Sequence, residues 1–231
     1  MMMDIFSSFD DQNFTILSFS PIIWILSILP LVMTHTNFWI SPSHLTNAIL
    51  FPKSFMTLQI SRTVGKNISG FTIFLVSLFC LLIFINLTGL LPYVFSLSSH
   101  LTFAFSLGFP LWLSLILSGF FFNFSEVISH FLPSGAPSIL NPFLVLVETV
   151  SISVRPLTLS IRLAANMSAG HIILGLIGSY LSISFFCFSF FIIVILTIIQ
   201  IFYFMFEIGI AMIQAYIFSL LISLYSDDHP K

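Results

Sequence analysis

Arg162 and Glu207 stand inside apolar sequence where core packing does not explain a charge. Between them, from Leu163 to Phe206, no Asp, Glu, Lys or Arg occurs and His171 is the sole histidine. A charge near a bilayer centre costs about 2.5–3.5 kcal/mol on insertion scales, so it faces a partner or a water-filled cavity rather than lipid. Carboxylates and imidazoles exchange protons near neutral pH when their surroundings tune them. Arginine, with a pKa above about 12, does not. Arg162, His171 and Glu207 therefore point first to ion movement.

Helical spacing gives this set a geometry. Glu148 and Arg162 are 14 residues apart, which puts them within ~40° of one face and ~21 Å apart along a helix. Arg162 and Asn166 are i,i+4 neighbours on that face. His171, nine residues past Arg162, points ~180° away and lies ~13.5 Å further along. Glu207, Ala211 and Gln214 share a face of a later helix, where Gly209 and Ala211 permit close helix contact. A carboxylate at one end, an imidazole towards the other and a permanent cation between them block a direct proton wire. The same cation attracts a carboxylate offered by a partner. That is the arrangement two separated half-channels require.

Blander readings remain open on spacing alone. Glu148 suits a residue that snorkels at the interface, His171 a packing histidine, and Glu207 a structural ion pair with Arg162. Asn166 and Gln214 suit interhelical hydrogen bonding. Arg155, seven residues before Arg162, lies on nearly the same face. Its place beside Pro156, near the segment's start, favours interfacial anchoring.

The elements that must carry these residues are membrane helices. The 231-residue chain is 58% hydrophobic and 6% charged, against about 25% charged in soluble domains, so it cannot clothe itself in polar surface. It reads as an all-α membrane protein with a single domain over residues 1–231. A first span over 14–33 is about the 20 residues a bilayer needs. Residues 34–66 form a basic loop, in which Leu45, Ile49, Met56 and Ile60 suggest an interfacial helix that Pro52 divides. Asn67–Ser125 lacks all four charged residue types and fits a helical hairpin over 68–122, as Ile68–Leu91 and Leu101–Phe122. Phe124–Asn141, rich in Pro and Gly, reads as a connector.

Two segments follow, Pro142–Tyr180 and Leu181–Tyr225. Each would reach ~60 Å as a helix, about twice the hydrocarbon thickness. Residues 142–225 are therefore broken or strongly tilted. A turn near Ser179–Ser184 leaves His171 about ten residues before it and Glu207 about 25 after it, so pairing His171 with Glu207 requires an offset or a later turn.

Lys53, Arg62 and Lys66, three of six basic residues, place the 34–66 loop on the matrix or cytoplasmic side. The acidic N-terminus (Asp4, Asp10, Asp11) has neither a transit-peptide nor a secretory-signal character, and its first apolar run reads as a retained anchor. A net charge of −2 argues against a nucleic-acid partner. Cys80 and Cys187 have no spacing that suggests a metal site or a disulfide framework. No G-x-x-x-x-G-K loop is present for a nucleotide, and no cofactor is expected. A proton-coupled secondary transporter is a rival class, although such folds commonly carry paired repeats and none is visible. A structural subunit of a respiratory complex is another.

The run Arg155-Pro-Leu-Thr-Leu-Ser-Ile-Arg162-Leu-Ala-Ala-Asn166-Met-Ser-Ala-Gly170-His171 resembles the signature of subunit a of F-type ATP synthases. Asn86-Leu-Thr-Gly89-Leu-Leu-Pro92, His130-Phe-Leu-Pro133-Ser-Gly135-Ala-Pro137 and Glu207-Ile-Gly-Ile-Ala-Met-Ile-Gln214-Ala-Tyr216 extend the likeness. The resemblance implies about three upright transmembrane helices, an interfacial helix and a long, strongly tilted hairpin curving around a ring of c subunits. It makes Arg162 the arginine facing the ring carboxylate, with Asn166 and Gln214 beside it. It makes His171 and Glu207 the inlet pair and Glu148 the outlet carboxylate. The order His171 then Glu207 resembles mitochondrial members, implying the inner mitochondrial membrane and synthesis inside the organelle. Implied partners are the c-ring, other membrane and peripheral-stalk subunits, lipid and protons.

Overall fold

The computed structural model describes residues 44–91, 94–130, 140–187 and 190–227. The expected first span at 14–33, most of the His130–Pro137 motif and Asp228 lie outside the described residues. Described residues form helices α1 (His44–Ile60), α2 (Phe71–Gly89), α3 (Leu101–Phe122), α4 (Phe124–His130), α5 (Asn141–Cys187) and α6 (Phe190–Asp227). Short 3-10 turns occupy Val64–Asn67 and Leu97–Ser99. No strand occurs among the described residues, and α2, α3, α5 and α6 are long and apolar enough to cross a membrane.

The expected hairpin over 68–122 is present, α3 with the bounds read from sequence. Its first helix starts later, after Gly70 at φ 79°, a left-handed position that a Cβ would disfavour. Pro52 does not divide the interfacial segment: α1 runs through it. Burial of Met56 and Ile60 against α2 and α6 outweighs the one backbone bond that a proline removes. The expected connector contains the seven-residue helix α4.

Two clusters of buried side chains hold the helices together. The larger joins Met56 and Ile60 of α1, Leu75, Leu78 and Leu82 of α2, Leu159 and Leu163 of α5, and Phe218 and Ile222 of α6. The smaller joins Leu90, Met167 and Ala211. Small residues permit close crossing of α3 on α5: a Cβ added at Gly108 would lie 3.3 Å from Leu159 Cδ2 and 3.6 Å from the Pro156 carbonyl oxygen.

The second half of α6 runs antiparallel along α2. At one end, the Asn86 side-chain amide donates to the Ala211 carbonyl at 3.2 Å. At the other, Gly65 packs so closely on Ser226 and Phe71 that an added Cβ would overlap the Ser226 hydroxyl. The end of α6 thus lies beside the turn that follows Arg62 and contains Lys66. This packing puts the end of α6 with the basic loop.

Candidate functional site

The long helices α5 and α6 pair as an antiparallel hairpin whose register decides which polar side chains meet. The helices end at Cys187 and resume at Phe190, later than the turn expected at Ser179–Ser184. His171 lies 16 residues before the end of α5, and Glu207 17 residues after the start of α6. The later turn removes the misalignment and brings the two segments level.

Contact at that level is intimate. A Cβ built on Gly170 would overlap the Glu207 carboxylate, so the carboxylate lies directly against the α5 backbone, one residue from His171. Glu207 is 1% exposed, and its Oε1 has no hydrogen-bond partner among the described residues. A buried carboxylate with one oxygen unsatisfied is costly in its charged form. It must take a proton, a water or a polar neighbour, which suits a group that loads and unloads. Tyr203, one turn earlier on α6, reaches the same carboxylate.

One turn towards the middle of α5, the Asn166 side-chain amide donates to Gln214 Oε1 at 2.8 Å. This bond fixes the hairpin register beside Arg162. Arg162 itself is exposed on α5, and no carboxylate of the described residues pairs with it. A structural ion pair between Arg162 and Glu207 is therefore absent from the described residues. The guanidinium is presented outward, where a partner's carboxylate can reach it.

Glu148 lies far from this group. It pairs with Arg155, Oε1 to Nη2 at 3.7 Å, and the Arg155 guanidinium carbon lies 5.1 Å from the centre of the Tyr225 ring. Arg155, read from sequence as an interfacial anchor, has specific partners in Glu148 and Tyr225. Tyr225 adjoins Ser226, which contacts the basic-loop turn. Glu207, by contrast, sits one turn from Ala211, which Asn86 holds at the far end of α2. Phe71 and Asn86, which mark these two levels, are 15 residues apart on one helix, about 22 Å. The two carboxylates therefore occupy opposite ends of α2, with Arg162 between them along α5.

Asn86 was not singled out by spacing. Its side chain is fully buried, and its Oδ1 has no hydrogen-bond partner among the described residues. The signal available was a lone amide within the Asn86–Pro92 motif. No group of three His, Cys, Asp or Glu side chains able to hold a metal occurs among the described residues.

Comparison with known proteins adds a family to this geometry. Residues 15–227 match the ATP synthase A chain family. The chain is 39% identical to ATP synthase subunit a of Locusta migratoria, with 99% of each chain covered. It is 39% identical to that of Aedes aegypti and 40% identical to that of Drosophila melanogaster, again with 99% of each chain covered. A multi-pass helical chain, matched over nearly its whole length, belongs to the ATP synthase A chain family.

Proposed function

We propose that this chain is the stator proton channel of an F-type ATP synthase in the inner mitochondrial membrane. Two offset half-channels carry protons to and from the carboxylates of a c-ring, and Arg162 separates them. His171 and Glu207 load protons from one side. Glu148 releases them on the side of the basic loop, which the positive-inside rule assigns to the matrix.

The observation that carries this reading is the division of carboxylates about Arg162. Glu207 and Glu148 lie at opposite ends of α2, and the guanidinium between them has no carboxylate partner among the described residues. Protons entering at one carboxylate reach the other only by riding on a group that moves past Arg162. A ring of carboxylates turning against the exposed face of α5 is such a carrier. The membrane potential contributes about 2.3 kcal/mol per charge per 100 mV to each transfer. Asn166 and Gln214, already bonded to each other, hold the helix pair in register where the ring carboxylate passes.

Purification in mild detergent tests the assignment. The chain should come out bound to a c-ring and a water-soluble ATPase head, and the reconstituted complex should pump protons on adding ATP. Isolation as a solitary chain that transports a solute would overturn it.

A further inference from the structure

Arg155 and Tyr225 are seventy residues apart in sequence and come from different helices, yet they meet beside Glu148. The guanidinium carbon of Arg155 lies 5.1 Å from the centre of the Tyr225 ring. Its Nη2 lies 3.7 Å from Glu148 Oε1, with the two side chains 30% and 39% exposed. Partly exposed ion pairs stabilise a fold little, so folding alone does not account for this three-part contact.

We infer that Arg155, clamped on Tyr225, is a positioning residue that holds the Glu148 carboxylate in the outlet half-channel. The inference rests on the reading of Glu148 as the outlet group. A long arginine side chain left to itself samples many rotamers. Stacking on an aromatic face removes that freedom, and the face is itself fixed. Tyr225 packs against the main core cluster, Ile222 three residues before it is buried in that cluster, and Ser226 is held against Gly65. The positive charge beside Glu148 is thus anchored through α6 to the turn after Arg62.

The length of the ion pair fits this role. At 3.7 Å it is looser than a charge-assisted hydrogen bond of about 2.7–2.9 Å. It orients the carboxylate and leaves its oxygens open to water, as proton release demands. The two cations on α5 share nearly one face, but Arg155 is engaged by Glu148 and Tyr225 whereas Arg162 is exposed with no carboxylate partner among the described residues, so the two do different work.

The test is ATP-driven proton pumping by the whole complex in sealed membranes, normalised to the amount of assembled complex. Glu148→Gln sets the reference and should slow pumping. Arg155→Gln should slow it at least about twofold, the scale of one modest contact, and Arg155→Lys should restore part of the loss. Tyr225→Leu should reproduce the defect, and Tyr225→Phe, which keeps the ring face, should recover it. In the Glu148→Gln background, Arg155→Gln should add nothing. If Glu148→Gln slows pumping and Arg155→Gln does not, the clamp is refuted and the outlet role of Glu148 stands. If the two defects add, Arg155 acts apart from Glu148 and the clamp is refuted as well. Normal pumping by Glu148→Gln removes the outlet reading and the clamp with it.

Discussion

The Glu207 carboxylate occupies the space that a side chain on Gly170 would fill. This single contact sets how closely α6 approaches α5 at the level of His171. Glycine within a helix normally costs about 1 kcal/mol against alanine. Here the missing methyl is what admits the carboxylate. Gly170→Ala should displace Glu207 and lower proton flux through the assembled complex, with a packing penalty of about 1–3 kcal/mol. Gly175→Ala is the control, because an added Cβ there meets nothing within 4 Å. Flux measured in membranes bearing each variant should fall only for Gly170→Ala.

Glu207→Gln separates proton handling from shape. Glutamine keeps the volume beside Gly170 and can satisfy polar neighbours without a charge, so the subunit should assemble normally. It cannot carry the proton, and pumping should drop by on the order of tenfold or more, the usual scale for removing a positioned acid–base group. Assembly is read by co-purification with the ring, and flux by quenching of a pH-sensitive dye. Undiminished flux would remove Glu207 from the pathway.

Much of this site was legible in the sequence, because charges in apolar helices are few and expensive. Arg162, Asn166, His171, Glu207 and Gln214 could be named from spacing, and the helix Leu101–Phe122 took its expected bounds. The turn between α5 and α6 was not legible. Serines at 179, 182 and 184 resemble turn residues, but their hydroxyls donate to the carbonyls of Leu176, Ser179 and Leu181 within α5. Serine satisfied by its own helix is no stop signal. Misplacing that turn hid the register that brings Gly170 to Glu207. Arg155 was under-read for another reason: its ring partner Tyr225 is on a different helix, and no local pattern connects them.

Asn86 makes a third point of attack. Its amide ties α2 to the Ala211 carbonyl, one turn from Glu207. Asn86→Leu fills the volume but drops the bond, which should cost about 0.5–1.5 kcal/mol. Release of the chain from the detergent-solubilised complex should begin at a lower temperature. Because Ala211 helps set the level of Glu207, pumping should also weaken in complexes that remain intact. Unaltered thermal release would show that this bond does not hold α2 to α6.

Arg162 gives the sharpest expectation. Its guanidinium is exposed and unpaired by carboxylates of the described residues, whereas Arg155 is engaged by Glu148 and Tyr225. On the proposed reading, Arg162→Ala should abolish ATP synthesis, because nothing would then draw the deprotonated ring carboxylate past the divide. It should also raise passive proton permeability, since the proposed barrier between two half-channels would be gone. Arg162→Lys keeps a cation but loses the planar five-donor fork and can titrate when desolvated, so synthesis should fail there too. Arg155→Gln should only slow the outlet step and leave coupled synthesis measurable. Synthesis and passive permeability, measured together in membranes bearing each variant, separate the two arginines. Normal synthesis in Arg162→Ala, or equal loss in Arg162→Ala and Arg155→Gln, would mean that the dividing charge lies elsewhere.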